Sequence, residues 1–119
     1  MNSIYESMSQ AELLVCDFLK SKRIFWTYEQ PVFLSDDNNR PRIFCPDFYL
    51  PELGIYIEVI GNPNLNDYER RENIYEKNNI AIIFITPFNN KSWERDLLNG
   101  INEIHNRRYE KLKRINRCY

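Results

Sequence analysis

The sequence predicts an α/β fold in which a mixed β-sheet carries helices on its faces. Three observations predict it. A capped stretch near the N-terminus has its apolar residues at helical spacing. Consecutive segments dense in aromatic and β-branched residues follow, joined by short polar links. A second helical stretch then leads into an unbroken apolar run, which is how a strand reached by a crossover and paired in parallel looks. The chain of 119 residues is expected to form one domain over 1–119. Its ordinary balance of 43% hydrophobic and 28% charged residues excludes a disordered chain.

Ser9-Gln10-Ala11-Glu12 has the form of a capping box, and Ala11, Leu14, Val15, Phe18 and Leu19 make one helical stripe behind it. A helix is therefore expected over Gln10–Ser21. Residues 24–33 read as a strand broken or ended near Pro31, and 35–41 as a polar turn. Residues 42–50 read as a second strand despite Pro46. A short turn at 50–54 leads into a third strand, 55–60, so an antiparallel meander is expected. Residues 61–66 read as a loop, with Asp67 as the N-cap of a helix reaching about Asn78. The apolar run from Ile80 to Thr86, stopped by Pro87, reads as a strand buried on both faces. From Ser92 onward Trp93, Leu97, Ile101, Ile104, Leu112 and Ile115 fall close to helical spacing. A last helix over about 92–117 follows, with Gly100 as the point where it would break.

The scarce residues exclude several chemistries. One histidine, His105, rules out a two-histidine metal site within the chain. Cys16, Cys45 and Cys118 are far apart and form no C-x-x-C pair, so a zinc ribbon and a disulfide framework are excluded. Three glycines leave no phosphate-cradling loop. No apolar run approaches membrane-spanning length, and no signal peptide is visible, so an intracellular protein without membrane contact is expected. Any catalysis then rests on carboxylates.

Two acids stand in otherwise apolar strands. Alternation puts Ile55, Ile57 and Val59 on one face of the third strand, and Tyr56, Glu58 and Ile60 on the other. Glu58 therefore lies at a sheet edge or has a ligand. Asp47 follows Phe44-Cys45-Pro46 and precedes Phe48. A tight link between the strands lets the two carboxylates converge, where each raises the other's pKa unless a cation lies between them. Oxygen-only ligands favour Mg²⁺ or Mn²⁺. Asp47 also suits the end of a strand or a turn cap, and Glu12 suits the reciprocal position of the capping box. Tyr68, Tyr75, Trp26 and Trp93 read as core residues.

Asp47, ten residues, then Glu58-Val59-Ile60-Gly61 resembles the signature of the PD-(D/E)XK nucleases, and the element order resembles their restriction-endonuclease-like core. The resemblance implies a helix, a three-stranded antiparallel meander, a helix and a parallel strand, with a further C-terminal helix. It implies that Asp47, Glu58 and the Val59 carbonyl hold Mg²⁺ or Mn²⁺, with Glu12 as an added acidic ligand. The family's lysine, which orients water and stabilises developing charge, is replaced by Ile60. Some members bring the cation from the following helix, where Arg70, Arg71 and Lys77 stand, and Arg71 shares a helical face with Tyr68 and Tyr75. Arginine is a poor proton carrier but an effective charge stabiliser.

The basic residues cluster at one end. From His105 to Tyr119 Arg107, Arg108, Lys111, Lys113, Arg114 and Arg117 stand against one acid, Glu110. This end reads either as a DNA-contacting arm or dimer seam, or as a solvated helix. The expected function is a Mg²⁺-dependent DNA nuclease directed by structure rather than sequence. It would use no small-molecule cofactor, and the resemblance implies that it acts as a homodimer. The alternative is a nuclease fold that has lost catalysis and serves as a nucleic-acid-binding or assembly subunit.

Overall fold

The computed structural model describes residues 3–61 and 65–117. Helix α1 (Gln10–Ser21) opens on a complete capping box, with Ser9 and Glu12 each bonded to the other's backbone. It buries Ala11, Val15, Cys16, Phe18 and Leu19, while Leu14, expected in the same stripe, is exposed.

The two long strands expected over 24–33 and 42–50 are each divided. The first becomes β1 (Thr27–Tyr28) and β2 (Val32–Ser35), and the second β3 (Pro41–Phe44) and β4 (Phe48–Leu50). β1 pairs with β4 and β2 with β3, both antiparallel, in two separate sheets. One register runs through both, since Tyr28 faces Phe48 and Val32 faces Phe44. The pair is thus a single long hairpin with a bend in the middle. Continuing the register sets Pro31 opposite Cys45 and Pro46 opposite Gln30. Two successive pair positions thus each contain a proline, one on either strand, and neither has an N–H to give to the ladder. The bend is held by Glu29, whose φ is 55°, donating its N–H to Asp47 O at 3.0 Å.

The main sheet runs β1-β4-β5-β6, with β5 at Ile55–Val59 and β6 at Ile82–Ile85. β4–β5 is antiparallel and β5–β6 parallel, so the sheet is mixed, as expected. β6 is partly rather than fully buried over Ile82–Phe84. Between them α2 spans Leu65–Lys77. It begins two residues before the expected cap, so Asp67 lies in its first turn, where an acid complements the helix dipole. The loop expected over 61–66 falls partly on residues outside those described, as does Cys118. α3 runs unbroken over Trp93–Arg117. Gly100 does not break it. A Cβ there would lie 3.0 Å from Ile83 Cδ1, so the glycine lets the helix sit close on β6.

Two apolar clusters sandwich the sheet. Val15, Phe18 and Leu19 of α1 and Trp93, Leu97 and Ile104 of α3 pack with Phe48, Ile55 and Ile57. Ile74 and Tyr75 of α2 pack with Val32 and Leu34 of the bent hairpin and with Tyr56, Ile82 and Phe84. The hairpin is clamped onto α2 by Asn78, whose side chain bonds both the N–H and C=O of Ser35, and by the Arg70–Asp37 pair. Among the described residues no helix is long and apolar enough to cross a membrane.

A carboxylate cluster at the end of the sheet

The bend that divides the hairpin also makes the candidate site. Asp47 is the first residue after Pro46 and precedes the ladder of β4, so its side chain is free of strand packing. Its Oδ2 accepts the Val59 N–H at 2.7 Å, across to the last residue of β5. The C=O of Val59 leaves the strand on the same side as that N–H. Burial pushes the Asp47 carboxyl up to about 6, with the Val59 hydrogen bond opposing and the neighbouring Glu12 carboxyl adding to the rise.

Glu58 is only 6% exposed and faces α2, on the opposite side of β5 from Ile57 and Val59. Burial pushes its carboxyl up to about 7. Arg71 works against that rise, while the charges of Asp47 and Glu12 add to it. Arg71 Nη2 lies 3.3 Å from Glu58 Oε2, and the guanidinium lies over the Phe44 ring, 5.4 Å from its centroid. The sheet therefore ends in mutually repelling, desolvated carboxylates with one guanidinium beside them.

Glu12 combines two roles that the sequence sets against each other. Its Oε1 accepts the Ser9 N–H at 3.0 Å, completing the capping box, while Oε2 accepts the Tyr28 hydroxyl at 2.8 Å. It also stands within the electrostatic reach of Asp47 and Glu58. Tyr28 is a site residue that sequence reasoning missed, and burial followed by the Glu12 contact pushes its pKa up. Its role depends on β1 pairing with β4, which the undivided strand concealed.

Ile60 follows β5, is 8% exposed and donates its N–H to Ile85 O at 2.8 Å. Position 60, where the resemblance to the nucleases sets a lysine, is thus apolar and buried. Arg70 is turned away to Asp37, and Lys77 is bonded to Asp36 O and Asn39 Oδ1 at the hairpin turn. Arg71 is therefore the one cation of the three that stands at Glu58.

Among the described residues no three His, Cys, Asp or Glu side chains converge as a ready-made metal cage. Asp47 and Glu58 with the Val59 carbonyl would offer oxygen donors only. Mg²⁺ keeps several waters and needs few protein ligands, so that set suits it in kind. The buried charge repulsion is the feature a divalent cation relieves.

The basic end of α3 does not act as one unit. Arg108 donates to the carbonyls of Leu53 and Gly54, tying the helix to the β4–β5 turn. Arg107, Arg108 and Lys111 line a groove with Glu72 and Glu76 of α2. Lys113 lies 3.7 Å from Glu110 and over the Tyr109 ring. Arg114 belongs to the same exposed stretch, 105–115. No family model, curated protein or solved structure matches the chain.

Proposed function

We propose that the chain is a divalent-metal-dependent DNA nuclease of PD-(D/E)XK type, built on a restriction-endonuclease-like core. The observation that carries this reading is the desolvated Asp47–Glu58 pair on adjacent strands, with carboxyls pushed up to about 6 and about 7 and Arg71 at 3.3 Å from Glu58. Burying two neighbouring carboxylates costs energy that one Arg71 contact and one Val59 N–H offset only in part, since both carboxyls stay pushed up. The order helix, antiparallel strands, helix and parallel strand supports the same core.

Asp47, Glu58 and the Val59 carbonyl would hold Mg²⁺ or Mn²⁺, with Glu12 at the margin because Ser9 and Tyr28 already engage both its oxygens. When bound, the metal supplies charge neutralisation at a phosphodiester and a more acidic water. Arg71 stabilises negative charge as it develops on the phosphoryl oxygens. The Val59 N–H orients Asp47 and favours its ionised form against the burial that raises it. Exposed bases at the far end of α3 would lie along the DNA backbone, and a homodimer would extend that surface.

A second reading has its own observation. Arg71 already neutralises Glu58 without a metal, and Ile60 is buried where the family's lysine stands. These fit a descendant that binds nucleic acid without cutting it. A cleavage assay on branched, flapped and linear DNA with Mn²⁺ separates the two. The nuclease reading expects metal-dependent cleavage abolished by Asp47→Ala and by Glu58→Ala. Binding of DNA without cleavage under any metal, unchanged in both variants, leaves the binding module.

A further inference from the structure

Tyr75 lies one helical turn after Arg71, so the two side chains leave the same face of α2. Its ring is 0% exposed and packs on Phe44 and Phe84, with centroids 5.4 and 6.3 Å away. Phe84 is the register partner of Glu58, and Phe44 carries the Arg71 guanidinium. The neighbours of the Tyr75 ring are thus the neighbours of the Glu58–Arg71 pair. In that place the Tyr75 hydroxyl is buried and, among the described residues, completes no hydrogen bond of ordinary geometry, although the Arg71 guanidinium lies near enough to act on it. An unpartnered hydroxyl in an interior is costly, and phenylalanine would fill the space without it. Burial, then the Glu58 charge, push the phenol up to about 12, with Arg71 opposing. The hydroxyl therefore keeps its proton at neutral pH and is a donor. Buried polar groups without a protein partner are served by water or ligand.

We propose that Tyr75 Oη is a ligand-contacting donor of the candidate site, giving its hydrogen bond to an oxygen seated beside the Glu58–Arg71 pair. This rests on the reading of Asp47 and Glu58 as a metal-dependent phosphodiester site. Two oxygens suit the seat. A water accepts from Tyr75 and donates to Glu58. A phosphoryl oxygen accepts from both Tyr75 and Arg71.

Tyr75→Phe removes the hydroxyl and keeps the ring. The full chain and this variant are compared by thermal melting, by titration with Mn²⁺ alone, and by titration with a labelled oligothymidylate with and without Mn²⁺. The expected result is a Tm equal to or above wild type, with about tenfold weaker binding in a titration, the value of one hydrogen bond to a charged or strongly polarised oxygen. Weaker Mn²⁺ binding assigns the oxygen to water, and weaker oligothymidylate binding alone assigns it to a phosphoryl group. Unchanged affinity for both probes overturns the proposal while leaving the metal reading in place. A clear fall in Tm also overturns it, because the hydroxyl would then be bonded within the fold. If wild type and Glu58→Gln are alike in failing to bind Mn²⁺, the metal reading fails. The metal-free oligothymidylate titration then decides Tyr75 by itself: weaker binding by the variant upholds the proposal, and equal or absent binding overturns it.

Discussion

Burying a carboxylate raises its affinity for a proton, and a second carboxylate beside it raises that affinity again. Asp47 moves from an ordinary 3.8 to about 6, and Glu58 from 4.5 to about 7. Both bind protons more tightly in the folded chain than in the unfolded one. Their contribution to stability is thus complete below about pH 4 and lost as pH rises through 6 and then 7. Asp36 has the opposite sign. Hydrogen bonds from Arg40, Arg42 and Asn38 hold it down to about 2, so its contribution is lost only as pH falls to that value. The metal-free protein should therefore lose Tm between about pH 5 and pH 8 in EDTA. Asp47→Asn keeps an acceptor for the Val59 N–H and should remove part of that loss, adding about 1–2 kcal/mol at pH 8 in a melting series. The same residues frame a kinetic expectation. Arg71→Ala should lower metal-dependent cleavage by about 10²–10³, the usual loss for one well-placed electrostatic donor. Ile60→Lys should gain little, because Arg71 already brings positive charge to Glu58; a large gain in single-turnover rate would show that the charge is missing. Glu58 was legible in the sequence because alternation sets a charge among apolar neighbours. Tyr75 reads in the sequence as a core ring, and it is one; only the structure shows where its hydroxyl ends.

The elements differ in how far local pattern determines them. The bounds of α1 were legible because cap and stripe are local signals, although Leu14 of that stripe is exposed. The parallel pairing of β5 and β6 was legible from the crossover between them. The bend in the long hairpin was not. Pro31 and Pro46 are visible in the sequence, but they break the ladder because they fall at successive pair positions on opposite strands, and that depends on register. The consequence is functional as well as architectural, since the bend frees Asp47 from the ladder and turns it toward Val59. Gly100 is a similar case. Inside a helix it reads as a weak point, whereas its role is contact with Ile83 across the α3–β6 seam. Gly100→Val should therefore destabilise by about 1–3 kcal/mol through overpacking, although valine is no worse a helix former than glycine. Chemical denaturation checks this, and a neutral result would mean that Ile83 yields without cost.

At the scale of the whole molecule the acidic site and the basic helix end are separate devices. Exposed bases contribute to DNA binding by releasing counterions, so their number appears as the slope of log affinity against log salt. The geometry divides the basic residues of α3 into two sets. Arg108 spends its guanidinium on the Leu53 and Gly54 carbonyls and so docks α3 onto the β4–β5 turn. Arg107, Lys111 and Lys113 make no such backbone contacts, though Lys113 lies near Glu110 and the other two share a groove with Glu72 and Glu76. Replacing Arg107, Lys111 and Lys113 together by alanine should lower the salt slope for duplex DNA by about 2–3, at about 0.9 per lost phosphate contact, and leave Tm nearly unchanged. Arg108→Ala should do the reverse, lowering Tm while the slope moves little. Filter binding over a salt series, paired with melting of each variant, reads both quantities. A triple variant that keeps the wild-type slope would mean that this end of α3 serves the acidic face of α2 rather than DNA. On the proposed nuclease reading, the contacts to the DNA backbone would then have to come from the sheet end itself, around Arg71.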